Sequence, residues 1–285
     1  MNAPAAAGVP DGRFLETPHG RIFCLHRAGR GDACIIVVPP FAEEMNRSRR
    51  MWTLLAAQLA GVGVGTLIPD LHGTGDSDGE FAEATWEAWR TDLDVCCRFA
   101  RESGVRRIGL LGVRLGALLA LDYLRDPAHT EAAAGITQLI LWQPVLDGRL
   151  HMNQFLRLKL AAGLRQAAAG KETTASLRER LARGERLEVA GYELARGLLD
   201  AIDALNAQSL APSPTLRIDW LEVSTAEVAA LAPVSEKVLE AWRAAGANVQ
   251  ARALRGEAFW ALQEITIAPD LIVATREAVA EGLAR

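Results

Sequence analysis

Short apolar runs along the 285-residue chain are separated by longer stretches in which apolar residues recur at helical spacing. The first two runs, 13–17 and 22–26, flank Pro18-His19-Gly20 and predict a β-hairpin. Later runs predict buried strands at 33–38, 65–69, from 106 onwards, and at 136–142, 215–223 and 249–254. Helices are predicted up to about residue 60 and at 85–102, 235–245 and 269–283. This alternation predicts an α/β fold with a doubly wound, mostly parallel sheet and right-handed crossovers.

One segment interrupts the alternation. Residues 147–212 are dense in Ala, Leu, Arg and Glu and predict helices rather than strands. Because this segment follows the sixth predicted strand, we expect it to lie as a lid over the carboxyl ends of the strands. The predicted organisation is an N-terminal core part at 1–146, a helical lid at 147–212 and a C-terminal core part at 213–285. Residues 41–50, after the third strand, are predicted to form a loop.

The centre of the chain carries a strand, a glycine-flanked turn and a helix in succession. The turn is Gly112-Val113-Arg114-Leu115-Gly116. It has the spacing of the G-x-S-x-G nucleophile elbow, in which two glycines let a strand and a helix approach closely around one strained residue. Arg114 stands where that motif has serine. Guanidinium stays protonated at ordinary pH and is not a nucleophile, so serine-type covalent catalysis at this position is excluded.

Several further segments carry a family resemblance. Residues 70–77, Asp-Leu-His-Gly-Thr-Gly-Asp-Ser, look like the D-x-x-G-x-G-x-S loop that follows the fourth strand of the α/β-hydrolase superfamily. The chain resembles that superfamily from Arg13 to Arg285. Within it, the segments similar to the second type of hydrolase-like protein of exosortase A systems are 39–50, 112–117, 154–158 and Phe259-Trp260. This resemblance implies an α/β-hydrolase fold and a role in a bacterial exopolysaccharide and protein-sorting locus.

The catalytic triad of the superfamily consists of a serine, an acid after the seventh strand and a histidine after the eighth. Here Arg114 takes the first place, and Glu227 is the nearest acid after the seventh predicted strand. The loop at 254–260 contains no histidine, and no histidine follows His151 in the sequence. The chain is therefore not expected to act as an ordinary Ser-His-Asp esterase or peptidase.

An arginine at a helix N-terminus opposes the helix dipole and, when buried, requires a nearby anion. Glu43 or Glu44 supplies one source, as an internal ion pair that fills the site. A bound carboxylate or phosphate supplies the other. Both alternatives stay open at this stage, with Arg47 as an additional residue for a positive rim. The predicted ligand-binding residues are Arg114, Leu115, Phe41, Ala42, Arg49, Arg50, His151, Phe259 and Trp260.

Composition narrows the functional classes. The net charge of −4 gives no general attraction to nucleic acid. The four cysteines have neither metal-site nor disulfide spacing, which suits a reduced cytoplasmic location. Gly61-Val62-Gly63-Val64-Gly65 leads into a strand, whereas a dinucleotide fingerprint follows one. No cofactor, metal site, membrane span or secretory signal is therefore predicted, the first ten residues are expected to form a loose tail, and a homodimer is one arrangement that the sequence permits.

Three functional hypotheses follow. In the first, a pseudoenzyme with a hydrolase fold binds an anionic small molecule or a protein partner of the same locus at Arg114. In the second, a hydrolase acts on an ester or acyl substrate, with Glu43 or Glu44 and His72 as the acid–base pair and Arg114 stabilising an oxyanion. In the third, the protein is a non-catalytic interaction module. An open, positively lined pocket favours the first, a close Glu–His pair the second, and a pocket filled by an Arg114–Glu pair the third.

Overall fold

A mostly parallel β-sheet forms the centre of the computed structural model, which describes residues 8–165 and 172–283. The strands of the chain, in order, are β1 (Asp11–Thr17), β2 (Gly20–Arg27), β3 (Ala33–Val38), β4 (Gly65–Pro69), β5 (Arg107–Val113), β6 (Ile136–Trp142), β7 (Leu187–Val189), β8 (Tyr192–Leu194), β9 (Arg217–Ser224) and β10 (Asn248–Arg255). In this part of the chain the sheet order is β1-β2-β4-β3-β5-β6-β9-β10. β2 is antiparallel to both β1 and β4, and the remaining neighbours are parallel.

Helices cover both faces of the sheet. They are α1 (Glu43–Gly61), α2 (Trp86–Glu102), α3 (Leu115–Arg125), α4 (Thr130–Ala133), α5 (Gly148–Arg165), α6 (Thr174–Ala182), α7 (Arg196–Asp203), α8 (Pro233–Ala244) and α9 (Pro269–Gly282), with short 3₁₀ helices at Phe81–Glu83, Pro127–His129 and Ala207–Ser209. Ile36 and Val38 of β3 face the core beneath α2 and α3, whereas Ile35 and Val37 face the core beneath α1 and α9. Burial on both faces explains why this strand is apolar at every position.

Most predicted strands form where the apolar runs lie, but the predicted loop at 41–50 is wrong. β3, β4 and β6 have the predicted limits. The helix α1 already begins at Glu43, because its charges suit a helix end. Glu43 and Glu44 lie in its first turn, where the helix dipole favours negative charge. Arg47 pairs with Glu43 one turn later at 3.0 Å.

The insertion between β6 and β9 is not purely helical. The prediction of helices throughout 147–212 is wrong at 187–194, where β7 and β8 form a hairpin. Its turn residues Ala190 and Gly191 both have positive φ, 51° and 86°, as a tight hairpin turn requires. Tyr192 packs against Phe81 with ring centroids 5.0 Å apart. The boundaries at 146 and 212 and the lid role stay predictions.

Two earlier expectations fall partly outside the described residues. Most of the predicted tail, residues 1–7, lies outside them, and so do residues 166–171 of the insertion. Within the described ranges, none of the helices combines the length and apolar character that crossing a bilayer requires.

Candidate functional site

The turn between β5 and α3 has the geometry of a nucleophile elbow with an arginine at its apex. Arg114 adopts φ 54° and ψ −117° at the N-cap of α3. Its backbone N–H donates to the Trp142 carbonyl at 3.0 Å, and its carbonyl accepts from the Val145 N–H at 3.1 Å. A Cβ atom on Gly116 would lie 2.2 Å from the Val38 oxygen, so the close approach of α3 to β3 requires glycine there. The backbone therefore fixes the position of Arg114.

The Arg114 guanidinium is held by one carboxylate, one carbonyl and one aromatic ring. Its Nη2 and Nε lie 3.3 and 3.4 Å from Glu44 Oε1. Its Nη1 donates to the Gln143 carbonyl at 3.2 Å. The guanidinium carbon, Cζ, lies 5.0 Å from the centroid of the Trp260 ring. Glu43 pairs instead with Arg47. Of the two predicted acidic partners, Glu44 is the one that contacts Arg114.

The Arg114–Glu44 pair is weak for a pair that is largely buried. Both N···O distances exceed the 2.7–2.9 Å typical of strong charged hydrogen bonds. Glu44 Oε2 is buried and has no hydrogen-bond partner in the described part of the chain. Burial raises the pKa of Glu44, while the positive charge of Arg114 acts to lower it. Glu44 is thus a poorly satisfied counter-ion that protonates more readily than an exposed glutamate.

His151 lies in the first turns of α5 and is buried. Burial, together with the charge of Arg114, lowers the pKa of His151 to about 3. Its ring meets the Phe41 ring edge to face at a centroid distance of 5.9 Å. Its Nε2 has no hydrogen-bond partner among the residues that the structure describes. At neutral pH this imidazole is uncharged and still has a hydrogen-bonding group to offer.

Two cavities meet around these side chains. One of about 220 Å³ lies between α1, α5 and the loop after β10; it is lined by Phe41, Glu43, Glu44, Arg47, His151, Gln154, Phe155, Leu158, Trp260 and Ala261. A second, of about 310 Å³, includes Arg114, Gln143, Asp147, Leu150 and Glu222 in its lining. His151 and Gln154 line both. Glu44 therefore borders the first cavity and Arg114 the second.

The other predicted binding residues divide between cavity wall, core and surface. Phe41 and Trp260 form cavity walls, whereas Phe259 packs beneath Trp260 and against Trp142. Ala42 and Leu115 line a third, much smaller apolar cavity of about 10 Å³.

Of the three arginines predicted to form a positive rim, Arg47, Arg49 and Arg50, only Arg47 lies at the site. Arg47 lines the cavity of about 220 Å³. Arg49 instead binds the buried Asp70 at 3.0 Å, and Arg50 is exposed. The structure thus does not place Arg49 or Arg50 at either cavity beside Arg114, because successive helical residues point in different directions from α1.

His72 does not join Glu43 or Glu44. The loop after β4 runs back along β2, with Asp78 N–H bonded to the Arg21 carbonyl at 2.8 Å. This path turns the His72 ring toward His19, at a centroid distance of 5.9 Å, and burial lowers its pKa. No hydrogen bond links it to either glutamate within residues 8–165 and 172–283. The expected acid–base pair is therefore not assembled in this structure.

Sequence reasoning missed two polar groups at the site. Glu222 of β9 is buried, accepts from Trp220 Nε1 at 2.8 Å and Ala232 N–H at 3.0 Å, and lines the second cavity, while Glu227 is exposed. The available signal was a glutamate between the apolar residues Leu221 and Val223 near the end of β9. Gln143 joins Arg114 to β9, because its Oε1 accepts from Val223 N–H at 2.9 Å. The described residues contain no cluster of three potential metal ligands.

Comparison with known proteins identifies related sequences and folds. Residues 29–196 match the model of a hydrolase family described as serine aminopeptidase, S33. Est1E from Butyrivibrio proteoclasticus, solved with bound ferulic acid, has a TM-score of 0.64 at 16% identity, over 96% of this chain and 100% of that chain. A thermostable carboxyl esterase from Bacillus coagulans in complex with glycerol has a TM-score of 0.64 at 14% identity, over 95% and 97%.

An esterase from Pyrococcus furiosus has a TM-score of 0.60 at 14% identity, over 96% of this chain and 91% of that chain. No curated protein matches the sequence. At these identities the structural similarities show the fold, and chemistry has to be argued from the site.

Proposed function

Since the chain belongs to the hydrolase family described as serine aminopeptidase, S33, in the α/β-hydrolase superfamily, we propose that it binds an anionic ligand at the elbow without serine chemistry. Arg114 is the anchor for a carboxylate or phosphate group. The cavity of about 220 Å³ beside Glu44 holds the rest of the ligand. The observation that carries this proposal is the incomplete pairing of Arg114, whose acidic partner sits at 3.3 Å with one oxygen unbonded.

A ligand anion would improve on Glu44 in two respects. It can approach the planar guanidinium from the open side and form the shorter, two-pronged contact that Arg114 lacks. Glu44 can accept a proton when it is displaced, because its burial already raises its pKa. The exchange then leaves no buried negative charge without a partner.

The test compares Arg114, whose partner Glu44 lines the cavity of about 220 Å³, with Arg47, which lines that cavity itself. We expect benzoate and phenyl phosphate to raise the melting temperature of the wild type, and Arg114→Gln to abolish this increase. Arg47→Gln is the matched control, because Arg47 is occupied by Glu43 and the Ala261 carbonyl. If Arg114→Gln is stabilised as strongly as the wild type, Arg114 is not the anchor and the proposal fails.

A hydrolase is the second candidate, favoured by two unpaired atoms at one cavity. Glu44 Oε2 and His151 Nε2 are both buried without partners. Either can accept a proton from an attacking water, with Arg114 stabilising the oxyanion. The solved structures with this fold include a carboxyl esterase from Bacillus coagulans and an esterase from Pyrococcus furiosus. The test is hydrolysis of p-nitrophenyl butyrate, which Glu44→Gln or His151→Phe should abolish; absence of any turnover above the buffer rate eliminates this candidate.

The biological setting is proposed from the sequence resemblance to hydrolase-like proteins of exosortase A systems. In that setting the ligand or a protein partner belongs to an exopolysaccharide and protein-sorting locus, and the protein acts in the cytoplasm as a monomer or homodimer. Deletion of the gene in a bacterium that carries such a locus should alter exopolysaccharide or sorted proteins. An unchanged polymer and unchanged sorting would contradict this role.

A further inference from the structure

We propose that the ligand of this site is a hydroxy acid of about monosaccharide size, with its carboxylate on Arg114 and a neighbouring hydroxyl group on His151. This inference rests on the proposed function and specifies the class of ligand within it. It depends on the position of His151, on the polar residue next to it, and on the size and walls of the cavity.

His151 is the reason to expect a hydroxyl group in the ligand. Its side chain is more than nine-tenths buried, and Nε2 has no partner in the part of the chain that the structure describes. The residue lines both the cavity that Glu44 borders and the cavity that Arg114 borders. It is uncharged at neutral pH, and a neutral imidazole has one donor and one acceptor nitrogen. A hydroxyl group can match either one, because it both donates and accepts.

A second anionic group would fit this position poorly. A neutral imidazole gives no charge compensation, and the nearby cation Arg47 is already bound by Glu43 at 3.0 Å and by the Ala261 carbonyl at 3.1 Å. A purely apolar group would leave the buried His151 nitrogen without a hydrogen-bond partner, which weakens binding. A neutral polar group is the occupant that avoids both penalties.

Gln154 extends the same polar edge. It follows His151 by three residues in α5, so both project from one side of the helix, and both line the two cavities. Its amide also donates and accepts hydrogen bonds. Gln154 is exposed, which places it at the rim, where it can serve a second hydroxyl group of a polyhydroxylated ligand.

The remaining walls set the size and shape of the ligand. Phe41, Phe155 and Trp260 surround the space with aromatic rings, and the volume of about 220 Å³ lies below the range usual for drug-sized ligands. Such a cavity suits one ring. The position that Glu44 occupies beside Arg114 shows that a carboxylate fits against this guanidinium. A six-membered ring bearing a carboxylate and hydroxyl groups satisfies these conditions together.

The experiment measures affinities of matched acids by titration calorimetry. Two pairs of acids differ by one hydroxyl group: cyclohexanecarboxylate with 3-hydroxycyclohexanecarboxylate, and benzoate with 3-hydroxybenzoate. A third comparison, glucuronate with glucose, tests the carboxylate. We expect the hydroxyl group to increase wild-type affinity about tenfold, the value of one well-made hydrogen bond. Glucose, which has no carboxylate, should not bind detectably.

Two variants locate the effect. His151→Phe keeps an aromatic ring against Phe41 and should bind each acid and its hydroxylated counterpart equally. His19→Phe is the control, because that exposed histidine lies beside His72 and lines neither cavity. Gln154→Leu, on the exposed edge of α5, provides a second variant that should reduce the preference for glucuronate over cyclohexanecarboxylate.

The outcomes separate this inference from the proposed function. If the wild type binds simple acids through Arg114 but gains nothing from a hydroxyl group, the hydroxy acid class is wrong and anion binding stands. If His151→Phe keeps the tenfold preference, His151 is not the hydroxyl contact. If no carboxylate binds to the wild type, the hydroxy acid class is wrong, and if phenyl phosphate does not bind either, both proposals fail.

Discussion

Ala42 and Arg114 share one backbone conformation at the ends of adjacent strands. Ala42 has φ 51° and ψ −129° before α1, and Arg114 has φ 54° and ψ −117° before α3. Their strands, β3 and β5, are hydrogen-bonded neighbours. This region of φ/ψ space is costly for any residue with a Cβ atom. In hydrolases of this fold, N–H groups next to these two turns form the oxyanion hole. Here the same two turns carry Ala42 and Arg114.

We expect Ala42→Gly to stabilise the protein by about 1 kcal/mol, because glycine adopts this conformation without strain. Ala56→Gly is the matched control, since Ala56 is also buried in this region but lies inside α1. There glycine should lower the free energy of unfolding by about 1 kcal/mol. Urea denaturation measures both. Destabilisation of similar size in the two variants would show that the turn at Ala42 carries no strain.

Gly116→Ala should destabilise the fold by about 3 kcal/mol or more. The added methyl group would meet the backbone oxygens of Val38 and Pro39 at 2.2 and 2.5 Å, and neither can move without shifting β3. Gly197→Ala is the control, because its Cβ would contact nothing within 4 Å. That variant should be neutral or slightly stabilising in guanidinium denaturation. Equal stability of the two variants would contradict the close packing of α3 on β3.

Glu44→Gln should tighten anion binding about tenfold at neutral pH and remove its pH dependence. In the wild type the pKa of Glu44 is raised, so at low pH the protonated carboxyl does not compete for Arg114. As the pH rises through that pKa, Glu44 ionises and affinity falls. Benzenesulfonate is a suitable probe because it stays ionised throughout. Glu43→Gln removes the partner of Arg47 but leaves Glu44 in place, so it should retain the pH dependence. A flat wild-type profile would refute the competition.

Asp92 should make stability depend on pH. Burial raises the pKa of Asp92 to about 7 from an ordinary 3.8, although it accepts a hydrogen bond from His72 N–H at 2.7 Å. The folded state therefore favours the protonated form. The Asp92 contribution to stability is present below pH 3.8 and is lost as the pH rises through about 7, by an amount on the order of 4 kcal/mol.

Asp92→Asn isolates this contribution. The pKa of His151 is lowered, so His151 acts in the opposite direction and removes stability as the pH falls below 6.5. The difference between variant and wild type cancels that effect. We expect Asp92→Asn to become progressively more stable than the wild type between pH 4 and 7, measured by chemical denaturation. A constant difference across this range would show that Asp92 stays ionised in the folded protein.

The sequence was most informative where a single physical cause decides the structure. β3 was predicted at its observed limits because burial on both faces demands uninterrupted apolar residues, and the buried apolar run at 139–142 located β6. The start of α1 was missed because charges at 43–50 suit a loop as well as the exposed side of a helix. The hairpin of β7 and β8 was missed because strands this short leave almost no periodicity.

The site was predicted less completely than the fold. The replacement of serine by Arg114 and the need for an acid were readable, since both follow from charge and motif. The choice of Glu44 over Glu43 depends on how α1 is rotated, which the first turn alone does not encode. The contact of Trp260 with Arg114 and the unpaired nitrogen of His151 arise from packing between distant segments. The binding roles of these residues stay predictions.

The insertion between β6 and β9 carries a consequence for folding kinetics. The two strands are neighbours in the sheet, so their pairing must wait until the long connection between them closes. Until then the apolar strand Ile136–Trp142 presents an unpaired edge. Intermediates of this kind associate at high protein concentration. Refolding yield should therefore fall with concentration more steeply than stability would suggest, and slow, cool expression should favour the monomeric chain.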